Sequence, residues 1–512
     1  MLTRFSISFW LIILVAAFFR LWQLNMIPPG LFPDEAVNGN NAHEAIQTGQ
    51  YKLFYPENNG REGLFINLQA LSILALGHTA FALRLVAAIF GILTVAAVYF
   101  FVREYTEDKR TALFAGFLIA VSFWAVLLSR LGFRANMAPF ALTAGLAFLY
   151  YAYNRRHDKP HTRILIASAL GGIFFGLGFH SYIAYRIAPL VLLPPIWLFI
   201  QSARRERLGC VLCIPALFLF FAFVAGIPLA YYFLQNPQDF FGRTAQISVF
   251  SSDNPLGAFL ANTAKTLQMF YFVGDLNQRH NLAGAPELWW PVAILFTLGI
   301  FEAIRKRYVL LFLWFAAMML PVAISSEGLP HALRAIIMIP PVFAFAGIGA
   351  SRLWHIAEMH RPFMRTIGKT VMIFLLAATA LQSAKAYFTT WANAQETYYA
   401  FGGELYKIGL ELNKLPLGLP KYVITDEVDS IDRTGRPMAF QPILFASETY
   451  LPEPTGAKNI FYTTLKDISS INCKEECIIA MVGNKANITA ALKNHMPQLE
   501  TDTSTGFLKY KK

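Results

Sequence analysis

Charge is scarce in this chain. Only 14% of its 512 residues are Asp, Glu, Lys or Arg, against about 25% in an ordinary soluble protein. Hydrophobic residues make up 56%, and mean hydropathy is +0.45. This excludes a single soluble globular domain and predicts an α-helical polytopic membrane protein. Cysteine is scarce too, with four in the chain. Cys210 and Cys213 lie in an apolar run and read as buried thiols. Cys473 and Cys477 lie in the polar stretch "CKEEC", which suits a short-loop disulfide in an oxidising compartment. No second Cys/His pair accompanies them, which argues against zinc there. Nucleotide and hydrolase signatures are missing: there is no P-loop, no G-x-G-x-x-G after a strand, no H-E-x-x-H and no G-x-S-x-G. The net charge of +12 carries no basic block interleaved with aromatics, so it reads as cytoplasmic loops and anionic lipid contact, not nucleic acid.

What the chain has is apolar runs. A spanning helix needs about 20 apolar residues. Eleven candidates lie near 5–25, 80–102, 111–129, 135–153, 163–180, 184–200, 208–234, 288–304, 308–325, 334–351 and 369–388. The first is too long for a signal peptide and reads as a retained helix. "LFINLQALSILALG" is shorter and reads as interfacial. With the N-terminus cytoplasmic, the basic connections "REYTEDKR", "NRRHDKPHTR", "SARRER" and "RKR" all fall inside. The long connections, about 26–79 and about 235–287, fall outside, in the periplasm if this is an inner-membrane protein. The expected organisation is a membrane domain over 1–388 and a small extracytoplasmic α/β domain over 389–512. In that tail the strand-like runs "KYVITDE", "NIFYTTL" and "CIIAMVG" accompany a helical "NITAALKNHM".

The costly polar residues gather on the outer side. The first outer loop opens "MIPPGLFPDEAVNGNNAHEA" and holds Asp34, Glu35, Arg61 and Glu62. Later outer connections hold Arg130 and Arg134, then Asp275, Arg279, His280 and Glu287, then Glu327, His331 and Arg334. Ionisable residues at a membrane are functional candidates by default. Arginine forks suit phosphate. A few acids among many phosphate binders suggest a phosphorylated lipid substrate and a base. The expected reaction is inverting sugar transfer from a polyprenyl phosphate to an acceptor hydroxyl. The ionised lipid phosphate leaves without needing a proton, so one carboxylate base and cationic clamps suffice. Asp34 is the expected base, with Glu35 as its orienting neighbour. Arg134, Arg279, His280, Arg130, Arg334, His331 and Glu62 are the expected substrate and phosphate contacts. Asp34 also reads as a helix N-cap, a means of fixing its backbone. Arg130 and Arg134 alternatively snorkel to headgroups. A transporter or flippase of polyprenyl-linked sugars is the competing class. Charges at one face and halves that do not repeat count against it.

The acidic "DE" pair after a single span, the segment "NNGREGLFINLQALSILALG", and the later "GDLNQRHN" and "SSEGLPHALRAIIMIPP" resemble the GT-C glycosyltransferases. The resemblance is to the protein O-mannosyltransferase and aminoarabinose transferase superfamily, bacterial branch, over roughly residues 5–350. It implies a GT-C fold, a polyprenyl-phosphate-sugar donor, a glycan, lipid or protein acceptor, and the first acid, Asp34, as catalytic base. In the aminoarabinose transferases a loop-one glutamate and a later histidine hold a metal. Glu62 and His280 occupy the corresponding places, although Gly63 follows Glu62 where those enzymes have Lys-Pro. A divalent metal at Glu62 and His280 is therefore the one cofactor the resemblance raises.

Overall fold

The computed structural model describes residues 7–206, 211–246, 249–251, 253–326, 328–428, 430–432, 435–473, 476–501 and 507–511. Among these, six helices are long and apolar enough to cross a membrane: Ala80–Thr106, Thr162–His180, Ile183–Arg205, Cys213–Gln235, Ile336–Met359 and Pro362–Trp391. The pair Lys109–Val121 and Phe123–Ser129, bent by 60°, makes a seventh. Helices Ile7–Leu21, Met137–Asn154, Trp290–Arg305 and Val309–Ala323 occupy the other expected positions. The architecture is that of a multi-span helical membrane protein. The sequence explains its local choices. Asp108 caps the Lys109–Val121 helix by accepting the Arg110 and Thr111 N–H groups. Large apolar side chains remain exposed on the spans, such as Phe223 and Phe374, as expected where the solvent is lipid.

The chain forms two compact units. One comprises Met1–Leu24, Glu62–Phe65 and Arg84–Trp391, and the other comprises Asn25–Arg61, Ile66–Leu83 and Ala392–Lys512. In the first, helices approach through small residues, the usual device where no hydrophobic driving force separates helix from lipid. A Cβ on Gly299 would collide with the Phe345 carbonyl, and one on Gly349 with the Leu295 carbonyl. Gly299→Leu is therefore expected to force the Trp290–Arg305 and Ile339–Met359 helices apart and to abolish a monodisperse detergent-extracted peak in size exclusion. An exposed control such as Ile294→Leu should leave that peak intact.

The second unit holds a five-stranded sheet of order β4-β3-β5-β7-β6, after the short β1 (Phe54–Tyr55) and β2 (Arg61–Glu62). Strands β3 (Lys421–Thr425), β4 (Ile460–Thr464) and β5 (Glu476–Val482) are parallel, with Val423 opposite Tyr462 and Ala480. Strands β6 (Leu499–Thr501) and β7 (Leu508–Lys511) complete it antiparallel. Alternation sends Val423, Ile478 and Ala480 to one face, against Ile408, Leu412, Ile443 and Leu444 of two helices. Tyr422, Ile424 and Ile479 go to the other face, against Ile488 and Leu492 of the Lys485–His495 helix. Cover on both faces explains why β3 is buried along its whole length.

The Cys473–Cys477 disulfide is present. The buried-thiol reading fails at Cys213, which is exposed at the mouth of its helix and disulfide-bonded. Cys210 and Glu327 lie outside the described residues.

Candidate active site

The "PDEA" stretch opens the helix Pro33–Thr48, but Asp34 is not its cap. Phe32 holds the N-cap position without a side-chain hydrogen bond, and Pro33 is the first helical residue. Proline needs no N–H partner there and presets the helical φ, so the helix starts one residue early. Asp34 consequently lies inside the first turn, where the positive end of the helix favours an anionic group. Its Oδ1 accepts a 2.7 Å hydrogen bond from Asn58 Nδ2. Among the described residues, nothing donates to its other oxygen. Glu35 is fully buried while Asp34 is half-buried, so the adjacent acids occupy different environments.

Asn58 comes from the turn between β1 and β2. Asn58, Asn59 and Gly60 take φ values of 49°, 63° and 84°. Asparagine and glycine are the residues that tolerate this left-handed region. A Cβ on Gly60 would also come within 2.6 Å of the Phe54 ring. The turn ends at Arg61, which is buried and donates to Asn38 Oδ1 at 2.6 Å and to Asn41 Oδ1, both on the Asp34 helix. That helix is then tied to the tail. Asn40 donates to the side chain of Gln441 at 2.8 Å, and Gln441 donates to Asp432 at 2.9 Å. Gly39 packs so closely on Phe445 that a Cβ would touch its ring.

The first unit carries the cationic candidates. Arg134 Nε donates to Glu62 Oε2 at 2.6 Å, and its guanidinium lies 5.9 Å from the Tyr182 ring. Arg130 differs. It is buried, donating to Tyr387 Oη at 3.0 Å and to the Phe19 and Trp22 carbonyls at 3.0 and 2.8 Å. Its fork braces three chain segments, where the sequence reading expected a phosphate contact. Arg279 donates from backbone and Nε to Asn277 Oδ1, and Arg334 donates to Ser325 Oγ.

His280 and His331 meet across two loops. Their rings stack at 4.7 Å, and both face Asp275. His280 Nδ1 lies 3.2 Å and His331 Nδ1 3.7 Å from Asp275 Oδ2. Asp275 is itself fixed. Oδ1 accepts the Asn277 N–H, and Oδ2 accepts the Ala332 N–H. Tryptophans pin both loops, Trp391 to the Gln278 carbonyl and Trp124 to the Ala332 carbonyl. Burial, then His280 and the nearby Arg334 and Arg279 charges, holds the His331 pKa well below the usual imidazole value. Burial also pushes Glu287 well above the usual carboxylate range. Glu287 Oε1 accepts the Asp275 N–H and so supports that loop.

The structure aligns with that of ArnT from Cupriavidus metallidurans, solved bound to undecaprenyl phosphate, over 98% of both chains at 14% identity and TM-score 0.56. The apo form of that protein gives TM-score 0.58 at the same identity, over 98% of this chain and 97% of that one. This is the GT-C fold. The archaeal oligosaccharyltransferase AglB from Archaeoglobus fulgidus, solved with an inhibitory peptide and a dolichol-phosphate, aligns over 99% of this chain and 74% of its own, at 15% identity and TM-score 0.53. In sequence, residues 64–232 match the dolichyl-phosphate-mannose-protein mannosyltransferase family. Among curated proteins none matches significantly. The family match covers less than half of the chain, and the structural matches show its fold.

Sequence reasoning did not single out Asn58, and it placed Asp275 among the outer ionisable residues without giving it a role. Asn58 had a signal in the Asn-Asn-Gly run, which marks a left-handed turn without saying what its side chain meets. Asp275 had none beyond turn formation, because its partner His331 is distant in sequence.

Proposed function

We propose that this GT-C protein transfers a sugar, with inversion, from a polyprenyl-phosphate-linked donor to an acceptor hydroxyl at the extracytoplasmic face. The observation that carries this reading is the state of Asp34. One carboxylate oxygen is held by Asn58 and the other receives no donor among the described residues, which is what a base needs to take a proton from a bound hydroxyl. As that oxygen removes the proton, the acceptor oxygen attacks the anomeric carbon. The bond from that carbon to the phosphate oxygen breaks, and its electron pair leaves with the lipid phosphate. A single displacement inverts the centre.

The leaving group is anionic and needs cations, not an acid. Arg134 has the right chemistry, since Glu62 fixes its Nε edge and so the plane of its fork. Arg279, Arg334, His280 and His331 are the further candidates. The solved relatives support a lipid-phosphate donor, because ArnT was captured with undecaprenyl phosphate and AglB with a dolichol-phosphate. The basic inner connections support the outward placement of the Asp34 loop and of residues 389–512.

The test is transfer in vitro. Purified protein is mixed with radiolabelled undecaprenyl-phosphate sugars and a panel of lipid A, glycan and Ser/Thr peptide acceptors. Label is expected on one acceptor class, with the anomeric configuration inverted. Movement of labelled lipid across proteoliposomes without transfer would replace this reading by a flippase.

A further inference from the structure

We propose that the cavity beside Arg20, in the first compact unit, binds a single-atom anion of the halide class, with chloride as its physiological occupant. This goes beyond the sugar-transfer reading and does not depend on it, because anion binding is measured without turnover.

Arg20 lies in the last turn of the apolar helix Ile7–Leu21 and is 1% exposed. An ionisable side chain buried in a membrane protein is costly and needs a partner. Among the described residues, no carboxylate pairs with this guanidinium. Nη1 donates to the Ala16 and Ala120 carbonyls at 3.3 and 2.9 Å, and Nη2 donates to the Ile119 carbonyl at 3.3 Å. Ile119 and Ala120 lie in the last turn of Lys109–Val121, just before the 60° bend. Capping that helix end accounts for the two terminal nitrogens. It does not balance the charge, because a helix C-terminus carries only about half a negative unit. It also leaves Nε, which is buried and meets no protein acceptor. A second buried guanidinium adds to the positive potential: Arg130 binds the Phe19 and Trp22 carbonyls on either side of Arg20.

Arg20 lines a cavity with Gly91, Thr94, Ser129 and Asn136. A Cβ on Gly91 would stand 2.8 Å from Arg20 Nε and collide with Ser129, so the glycine keeps the Nε edge open. The cavity leaves about 20 Å³ for the centre of a water-sized sphere, where one water needs about 10–15 Å³. That admits a single-atom anion and not a phosphate. The Ser129 and Thr94 hydroxyls donate to carbonyls of their own helices, Val126 at 3.0 Å and Phe90 at 2.7 Å. Rotation about the C–O bond turns either proton toward an anion without moving the side chain. A water would give Nε an acceptor and leave the charge unbalanced, whereas an anion supplies both.

The experiment uses the full-length protein in detergent, exchanged into sodium gluconate and titrated with chloride or bromide at constant ionic strength. The melting midpoint is expected to rise with either halide, as for any ligand that binds only the folded state, and gluconate should not substitute. Crystals grown in bromide should show an anomalous peak against Arg20 Nε. Arg20→Met keeps the length of the side chain, removes its charge and its donors, and should lose the halide response. A parent midpoint indifferent to halide, with no bromide peak at Nε, would overturn the proposal and leave the cavity to water. A full halide response in Arg20→Met would overturn it too, by placing the anion elsewhere. Should Arg20→Met fail to fold, the bromide position in the parent decides alone.

Discussion

Asp34→Asn is expected to lower transfer by about 10²–10⁴-fold, the usual contribution of a general base, without lowering the amount of folded protein. The substitution is nearly isosteric, and an amide oxygen still accepts the Asn58 donor that Asp34 Oδ1 now accepts. What it cannot do is take a proton. Glu35→Gln gives the contrast. Glu35 is buried, so its replacement should show in thermal stability before turnover. Asn58→Ala falls between them. Losing one hydrogen bond to a charged group costs about 1.5–3 kcal/mol, or about 10–100-fold in rate if the bond persists in the transition state. Full transfer by Asp34→Asn would remove Asp34 from the mechanism. A loss in Asn58→Ala as deep as that in Asp34→Asn would make the amide more than an orienting group.

Much of this site was legible because its chemistry is local. Acids after a first span, cations in later loops and the three parallel strands of the tail all announce themselves in short windows. The eleven apolar runs each coincide with a helix or helix pair for the same reason: lipid demands length and apolarity, and both are read directly. What escaped is what depends on partners. The cap reading of Asp34 weighed the acid and overlooked that Pro33 starts a helix without one. Arg130 looks like its neighbour Arg134 in sequence, yet one is sealed under Tyr387 and the other meets Glu62. The tie from Asn40 to Gln441 spans 401 residues, and no periodicity encodes it. Consequently the tail read as an appendage, while the second unit joins it to the very loop that bears Asp34.

That junction carries the other large effect. Arg61→Ala should destabilise the protein and abolish transfer together. Its guanidinium satisfies buried oxygens of Asn38 and Asn41 and lies 3.8 Å from Glu57. Each acceptor stranded in a buried site costs about 1–3 kcal/mol. Arg61→Lys should recover little, since an ammonium cannot reproduce a fork that reaches two asparagines at once. Thermal melts of detergent-solubilised protein, read beside transfer, separate this from catalysis. Asp34→Asn should keep its melting temperature and lose activity, whereas Arg61→Ala should lose both. Gln441→Ala tests the same helix from the tail side. It removes the Asn40 acceptor and a donor to Asp432 without touching Asp34. If it slows transfer while the melt stays cooperative, the tail helps set the position of the base. If transfer is unchanged, the Arg61 turn alone holds the Asp34 helix.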